Sequence, residues 1–179
     1  MDVEERLTRL RREFYAHRNG ILADTLRSAG DPHQFVMGCP LAELATIAAT
    51  ETPDAALATA LWADSKHREC RLTAPMLMPI DALTLDEAMR WATEVITHEE
   101  ADVLCHRLLR RTPFADSLVS RLMTDPQPMS RYVARRLMLN LTVTGRRTLS
   151  DTERNDITHE LATTTSPPMR QVLTALLED

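Results

Sequence analysis

At 179 residues the chain has room for one domain with a sizeable core or for a short array of repeats, and it is read as a single domain over 1–179. Four glycines that form no phosphate-binding loop, three cysteines and no apolar run of membrane-spanning length argue against a nucleotide-binding fold, a disulfide scaffold and a membrane span. The N-terminus is charged rather than signal-like, so a cytoplasmic protein is expected, and its net charge of -5 is unevenly spread: nine arginines against Asp116 and Asp125 put residues 107–147 near +7 and leave about -12 for the remainder.

Apolar residues recur at three- and four-residue spacing and no segment alternates with period two, so every element is read as a helix. The first covers 2–17; Asn19-Gly20 interrupts it, and a second runs over 21–28 until Gly30-Asp31-Pro32 stops it. Pro40 opens a short helix over 41–50. Helices follow over 54–64 and 66–78, the latter with Pro75 as an expected kink, then over 84–96, 97–110, 113–124, 128–143, 150–163 and 166–178.

Three of these starts have capping-box spacing: Thr84 with Glu87, Thr97 with Glu100, and Ser150 with Glu153. In each, the hydroxyl can accept from the third helical amide while the carboxylate returns to the cap amide. Pro113, Pro126 with Pro128, and Pro167-Pro168 punctuate the remaining joints. Helices of this length on short turns predict antiparallel pairs stacked in sequence, an all-α solenoid of degenerate HEAT-like repeats. A closed helical bundle has the same pattern and stays open. Trp62, Trp91 and the three cysteines, Cys39, Cys70 and Cys105, sit in apolar-periodic contexts and are assigned to the core as packed rings and buried thiols.

Twenty of the twenty-one basic residues are Arg, and three doublets, Arg110-Arg111, Arg135-Arg136 and Arg146-Arg147, fall inside the basic stretch. Arg is the planar, bidentate donor suited to phosphate, and a basic stripe on an acidic body can hold a polyanion locally. Solvated helix faces are the alternative reading of the same charges.

Within 97–110, Ala101, Leu104, Cys105 and Leu108 form the apolar stripe, leaving His98, Asp102 and His106 at four-residue steps along the polar flank. Such a row can converge on a metal ion, but a solvated face needs none, and no metal or cofactor is assigned. Asp102 beside arginines is the more economical site, an ionised carboxylate able to stabilise a cation developing on a substrate. Within 128–143, Val133, Ala134, Leu137 and Leu141 are given to the core, which turns Arg131, Tyr132, Arg135 and Arg136 to the opposite side. There the guanidinium groups can take phosphates while the ring lies against a sugar or base; Tyr132 packed on a neighbouring repeat is the alternative.

The order Gly38-Cys39-Pro40-Leu41, with Leu44, Ile47 and Ala48 behind it, then Leu61-Trp62 followed by His67, Glu69 and Arg71, resembles the HEAT-like DNA alkylation repair family, the alkylpurine DNA glycosylases. The likeness runs over roughly residues 20–145, through Asp102 and the arginines of 128–143. In that family an acidic residue on a mid-chain helix, a tryptophan one turn before it and an arginine about one repeat later line a basic groove. There cationic alkylated purines are excised from duplex DNA without the base being flipped into a pocket. By position, the resemblance implies that Asp102 is the catalytic acid and that Arg135 or Arg136 is the groove arginine. The tryptophan position falls on His98; a shifted register would place it on Ala101 and the acid on Cys105. The resemblance also implies one or two more helices than the chain has, hence a shorter groove.

Two functions are therefore expected to compete. In the first, Arg107, Arg110, Arg111, Arg131, Tyr132, Arg135 and Arg136 hold duplex DNA and Asp102 faces the lesion. A leaving group that is already cationic needs no general acid, so one well-placed anion can suffice. In the second, the chain is a non-enzymatic HEAT-like scaffold that binds an acidic protein partner, or DNA alone.

Overall fold

The computed structural model describes residues 2–178 and contains eleven α-helices among them. No strand occurs among the described residues; the nearest approach is one isolated parallel bridge between Phe35 and His67. All eleven expected helices are present, and the 128–143 helix has the expected bounds. The chain divides after Thr84 into two compact units, each with its own buried apolar core.

The first unit contains α1 (Val3–Ala16), α2 (Gly20–Ser28), α3 (Leu41–Ala49), α4 (Ala55–Ala63) and α5 (Arg68–Leu77), followed by a 3-10 turn at Ile80–Ala82. Its helix starts are set by side-chain caps: Asp2 and Glu5 form a full capping box, Asn19 accepts from the Leu22 amide, and Asp54 accepts from those of Ala56 and Leu57. Leu7, Leu10 and Phe14 bury one stripe of α1, which packs on α3 and α4. Pro75 lies inside α5, which runs only two residues beyond it. Trp62 is buried as expected, with the Arg71 guanidinium 3.7 Å over its ring and bonded to its carbonyl at 2.9 Å.

The Gly38-Cys39-Pro40 segment is held from beneath. Glu69 accepts from the amides of Met37 at 3.2 Å, Gly38 at 2.9 Å and Cys39 at 3.3 Å, and from Arg68 at 3.0 Å. Arg68 in turn reaches the Cys39 carbonyl at 3.1 Å. Gly38 has a φ of +73°, and a Cβ there would lie 2.2 Å from the Asn19 carbonyl oxygen, so no side chain fits. The buried pair thus satisfies a loop whose backbone no sheet or helix serves.

The second unit contains α6 (Leu85–Thr93), α7 (His98–Arg107), a 3-10 turn at Leu109–Arg111, α8 (Ala115–Thr124), α9 (Pro128–Val143), α10 (Asp151–Thr163) and α11 (Pro167–Glu178). Ser150 and Glu153 complete the expected capping box. Thr97 caps the Glu100 amide, while Glu100 returns to the amide of Ile96, one residue earlier than the pattern implies. Trp91 is buried as expected, and all three cysteines of the chain are buried and free.

α9 is the central helix of this unit, packed by α6, α7, α8 and α11. That corrects the expected division of its faces. Tyr132 is only 4% exposed and Arg135 only 2%, so neither lies on the open surface assigned to it, while Arg131 is exposed and Arg136 half-buried. Apolar periodicity leaves one face for solvent only when a helix has neighbours on one side; α9 has them on several, and Tyr132 and Arg135 find polar partners there in Asp102 and Glu160.

Candidate nucleic-acid interface

Asp102 on α7 and Tyr132 and Arg136 on α9 meet where these two helices pack. Each helix contributes an i, i+4 pair, His98 with Asp102 and Tyr132 with Arg136, so four side chains fall on facing surfaces. The Tyr132 hydroxyl donates to Asp102 Oδ1 at 2.8 Å, and Arg136 Nε lies 3.2 Å from the same oxygen. The His98 ring stands perpendicular to that of Tyr132 with centroids 4.5 Å apart. The Asp102 side chain remains 38% exposed. It is the one acid of the cluster, and solvent reaches it.

The electrostatics follow from this packing. Burial, then the Asp102 charge and hydrogen bond, hold the Tyr132 phenol above the ordinary tyrosine range, so it stays a donor at neutral pH. Cys105, fully buried behind Asp102, is pushed up for the same two reasons and is inert as a nucleophile. His106 is moved the other way, by burial first and then by Arg110, Arg107 and Arg136, so it is neutral where an ordinary histidine begins to charge. Glu100 is buried and engaged at the start of α7.

The nine arginines of 107–147 separate into two groups. Arg131 and Arg135 both bind Glu160 of α10, Arg131 at 2.6 Å and Arg135 at 2.8 Å; Arg147 bridges Asp116 and Glu153; Arg121 reaches Asp86 at 3.2 Å. Burial pushes Glu160 up, but its two arginines outweigh that and hold its carboxyl below the usual range. Arg107, Arg110 and Arg111 have no carboxylate within ion-pair distance among the described residues, and Arg146 spends its guanidinium on the carbonyls of Arg110 and Thr112. The cations left for an outside anion therefore gather around the end of α7 and the turn after it. Of the Arg135-Arg136 doublet, Arg136 is the one beside Asp102.

The row His98, Asp102 and His106 does not bring three ligand atoms together. Among the described residues the group that does is Asp64, His67 and Cys70 in the first unit. Its carboxylate is already matched by a cation, because Arg11 donates to Asp64 at 2.6 Å and His67 Nδ1 lies 2.9 Å from it. Burial, followed by the Asp64 charge, also pushes the Cys70 thiol up, away from the thiolate a metal requires.

With this geometry in place, the whole chain can be set beside known proteins. Residues 10–166 match the family model of the DNA alkylation repair enzymes. The chain belongs to that family. A solved structure described as "a new family of proteins related to the HEAT-like repeat DNA glycosylases with affinity for branched DNA structures" superposes with a TM-score of 0.76 at 16% identity, covering 98% of this chain and 74% of that one. At that identity the likeness speaks for the fold, which is the HEAT-like helical repeat and not a closed bundle. No match to a curated protein was found by sequence. No helix among the described residues is long and apolar enough to cross a membrane.

The contact of Tyr132 with Asp102 was not read from the sequence. The signal lay in the four-residue spacings of His98 to Asp102 and of Tyr132 to Arg136, which mark two matching stripes once α7 and α9 are known to pack.

Proposed function

We propose that this member of the DNA alkylation repair family binds duplex DNA through Arg107, Arg110, Arg111 and Arg136 and excises cationic alkylated purines with Asp102 facing the deoxyribose. The observation that carries the reading is the placement of one half-exposed carboxylate against Arg136, beside arginines that no acid among the described residues neutralises. In the reaction the N-glycosidic bond breaks and its electron pair goes to the positively charged purine, which leaves neutral. The sugar becomes an oxocarbenium-like cation that Asp102 stabilises; water then adds at the anomeric carbon and releases its proton to solvent.

Asp102→Asn keeps the shape and the Tyr132 contact but removes the charge. It should leave DNA affinity within about twofold and slow release of alkylated purine by roughly two orders of magnitude in single-turnover assays. Equal release by the two proteins would remove Asp102 from the chemistry.

A second reading keeps the DNA and drops the excision. It is favoured by His98, whose position corresponds to the family's tryptophan and whose smaller ring is in perpendicular contact with Tyr132. The related solved structure is described as having affinity for branched DNA, so binding of this chain to junctions and to linear duplex should be compared directly. No purine release together with tighter binding to junctions would favour this second function. Nothing in the comparisons supports the acidic protein partner.

A further inference from the structure

Both protein partners of Asp102 act on the same oxygen. Tyr132 donates to Oδ1 at 2.8 Å and the Arg136 Nε stands 3.2 Å from Oδ1 as an ion-pair contact, while no hydrogen bond reaches Oδ2 among the described residues and the side chain is open to solvent. A carboxylate on a helix can rotate about its terminal torsion with little preference, so two contacts at one oxygen are what fix which oxygen faces outward. Tyr132 is itself fixed: it is buried in α9, and the His98 ring stands perpendicular to it with centroids 4.5 Å apart.

We propose that Tyr132 is a positioning residue that, with Arg136, clamps Asp102 by Oδ1 and presents Oδ2 to the sugar, and that His98 serves by bracing the Tyr132 ring. This rests on the excision reading above. It gives the histidine at the family's tryptophan position a role of its own. The aromatic contact is turned inward, onto the residue that aims the acid, instead of outward onto the nucleotide. A hydrogen bond to a charged group is the kind of contact whose loss is felt in the transition state while ground-state DNA binding, carried by the arginines, is unaffected.

The test uses Tyr132→Phe in the full chain, a substitution that removes one oxygen and keeps the packed ring. Single-turnover release of alkylated purine should fall about ten- to hundredfold. Duplex affinity should stay within about twofold, since no phosphate contact is touched. A merely structural tyrosine would move both quantities or neither. Unchanged release would overturn the proposal.

A second measurement does not depend on activity. The chain has two tyrosines, Tyr15 and Tyr132, so in a Tyr15→Phe background tyrosinate absorbance reports Tyr132 alone. Adding Asp102→Ala should shift its ionisation to lower pH, because the adjacent negative charge is gone, and identical titrations would show that the clamp does not exist. Wild-type protein that releases no purine would overturn the excision reading instead; the shift in the tyrosinate titration would then decide whether Tyr132 holds Asp102.

Discussion

Glu69 belongs to the first unit, and the motif by which the family resemblance begins depends on it. Its carboxylate, itself buried, serves three consecutive amides around Gly38 and the buried Arg68 guanidinium. Glu69→Gln keeps the volume but removes the charge that pairs with the buried Arg68 guanidinium and weakens the acceptor that the three amides share. The expected cost is about 3–5 kcal/mol, measured as a lower urea midpoint with unchanged slope. A loss under about 1 kcal/mol would show that Arg68 is neutralised elsewhere. His67, Glu69, Arg71 and Trp62 carry the resemblance to DNA repair proteins, and every one of them is engaged within the first unit. The motif therefore reports the fold, and the chemistry proposed at Asp102 rests on other residues.

At the scale of elements, the ion pair between α9 and α10 sets an acid sensitivity. Glu160 is held below its ordinary value of 4.5 by Arg131 and Arg135 against the opposing effect of burial. A carboxyl whose folded value is depressed contributes stability above its unfolded value and loses it as pH falls through the folded one. The second unit should therefore weaken below about pH 4.5 in part through this group. Glu160→Gln should cost about 3 kcal/mol at pH 7, because Arg135 is buried and keeps its charge, and should make the decline on acidification shallower. Parallel acid titrations of the two proteins that fall with the same slope would contradict this.

The same helices show what the sequence could and could not reveal. Caps and prolines act within a few residues of themselves, so Asp54, Thr97, Ser150 and Pro128 mark their helix starts without knowledge of the fold. Which side of α9 meets solvent depends on α6, α7, α8 and α11, none of which is local to it. Arg135 is not on the expected open face, and for Tyr132 the packed alternative holds, because a polar side chain with a buried partner breaks the apolar pattern in the same way as an exposed one. Asp102 was legible as a candidate because it sits on the flank of a well-capped helix. The bond to Tyr132 was not, since it spans thirty residues of sequence.

At the scale of the whole molecule, the sorting of charge limits where a polyanion can bind. The basic stretch is near +7 in a chain of net charge -5, but five of its nine arginines, Arg121, Arg131, Arg135, Arg136 and Arg147, already face a carboxylate. Phosphate binding releases condensed counterions in proportion to the cations that newly meet phosphates. Arg107, Arg110 and Arg111 should count in full, whereas Arg131 must first be released from Glu160. Replacing the three by Ala should thus weaken duplex binding at low salt and flatten the plot of log affinity against log salt by as much as about 2.7, roughly 0.9 for each lost contact. Arg131→Ala is the control, expected to leave that slope within about 0.3. If Arg131→Ala flattened the slope as much as the triple substitution did per residue, the contact surface would centre on α10 and not on the end of α7, and Asp102 would then lie off the path of the DNA.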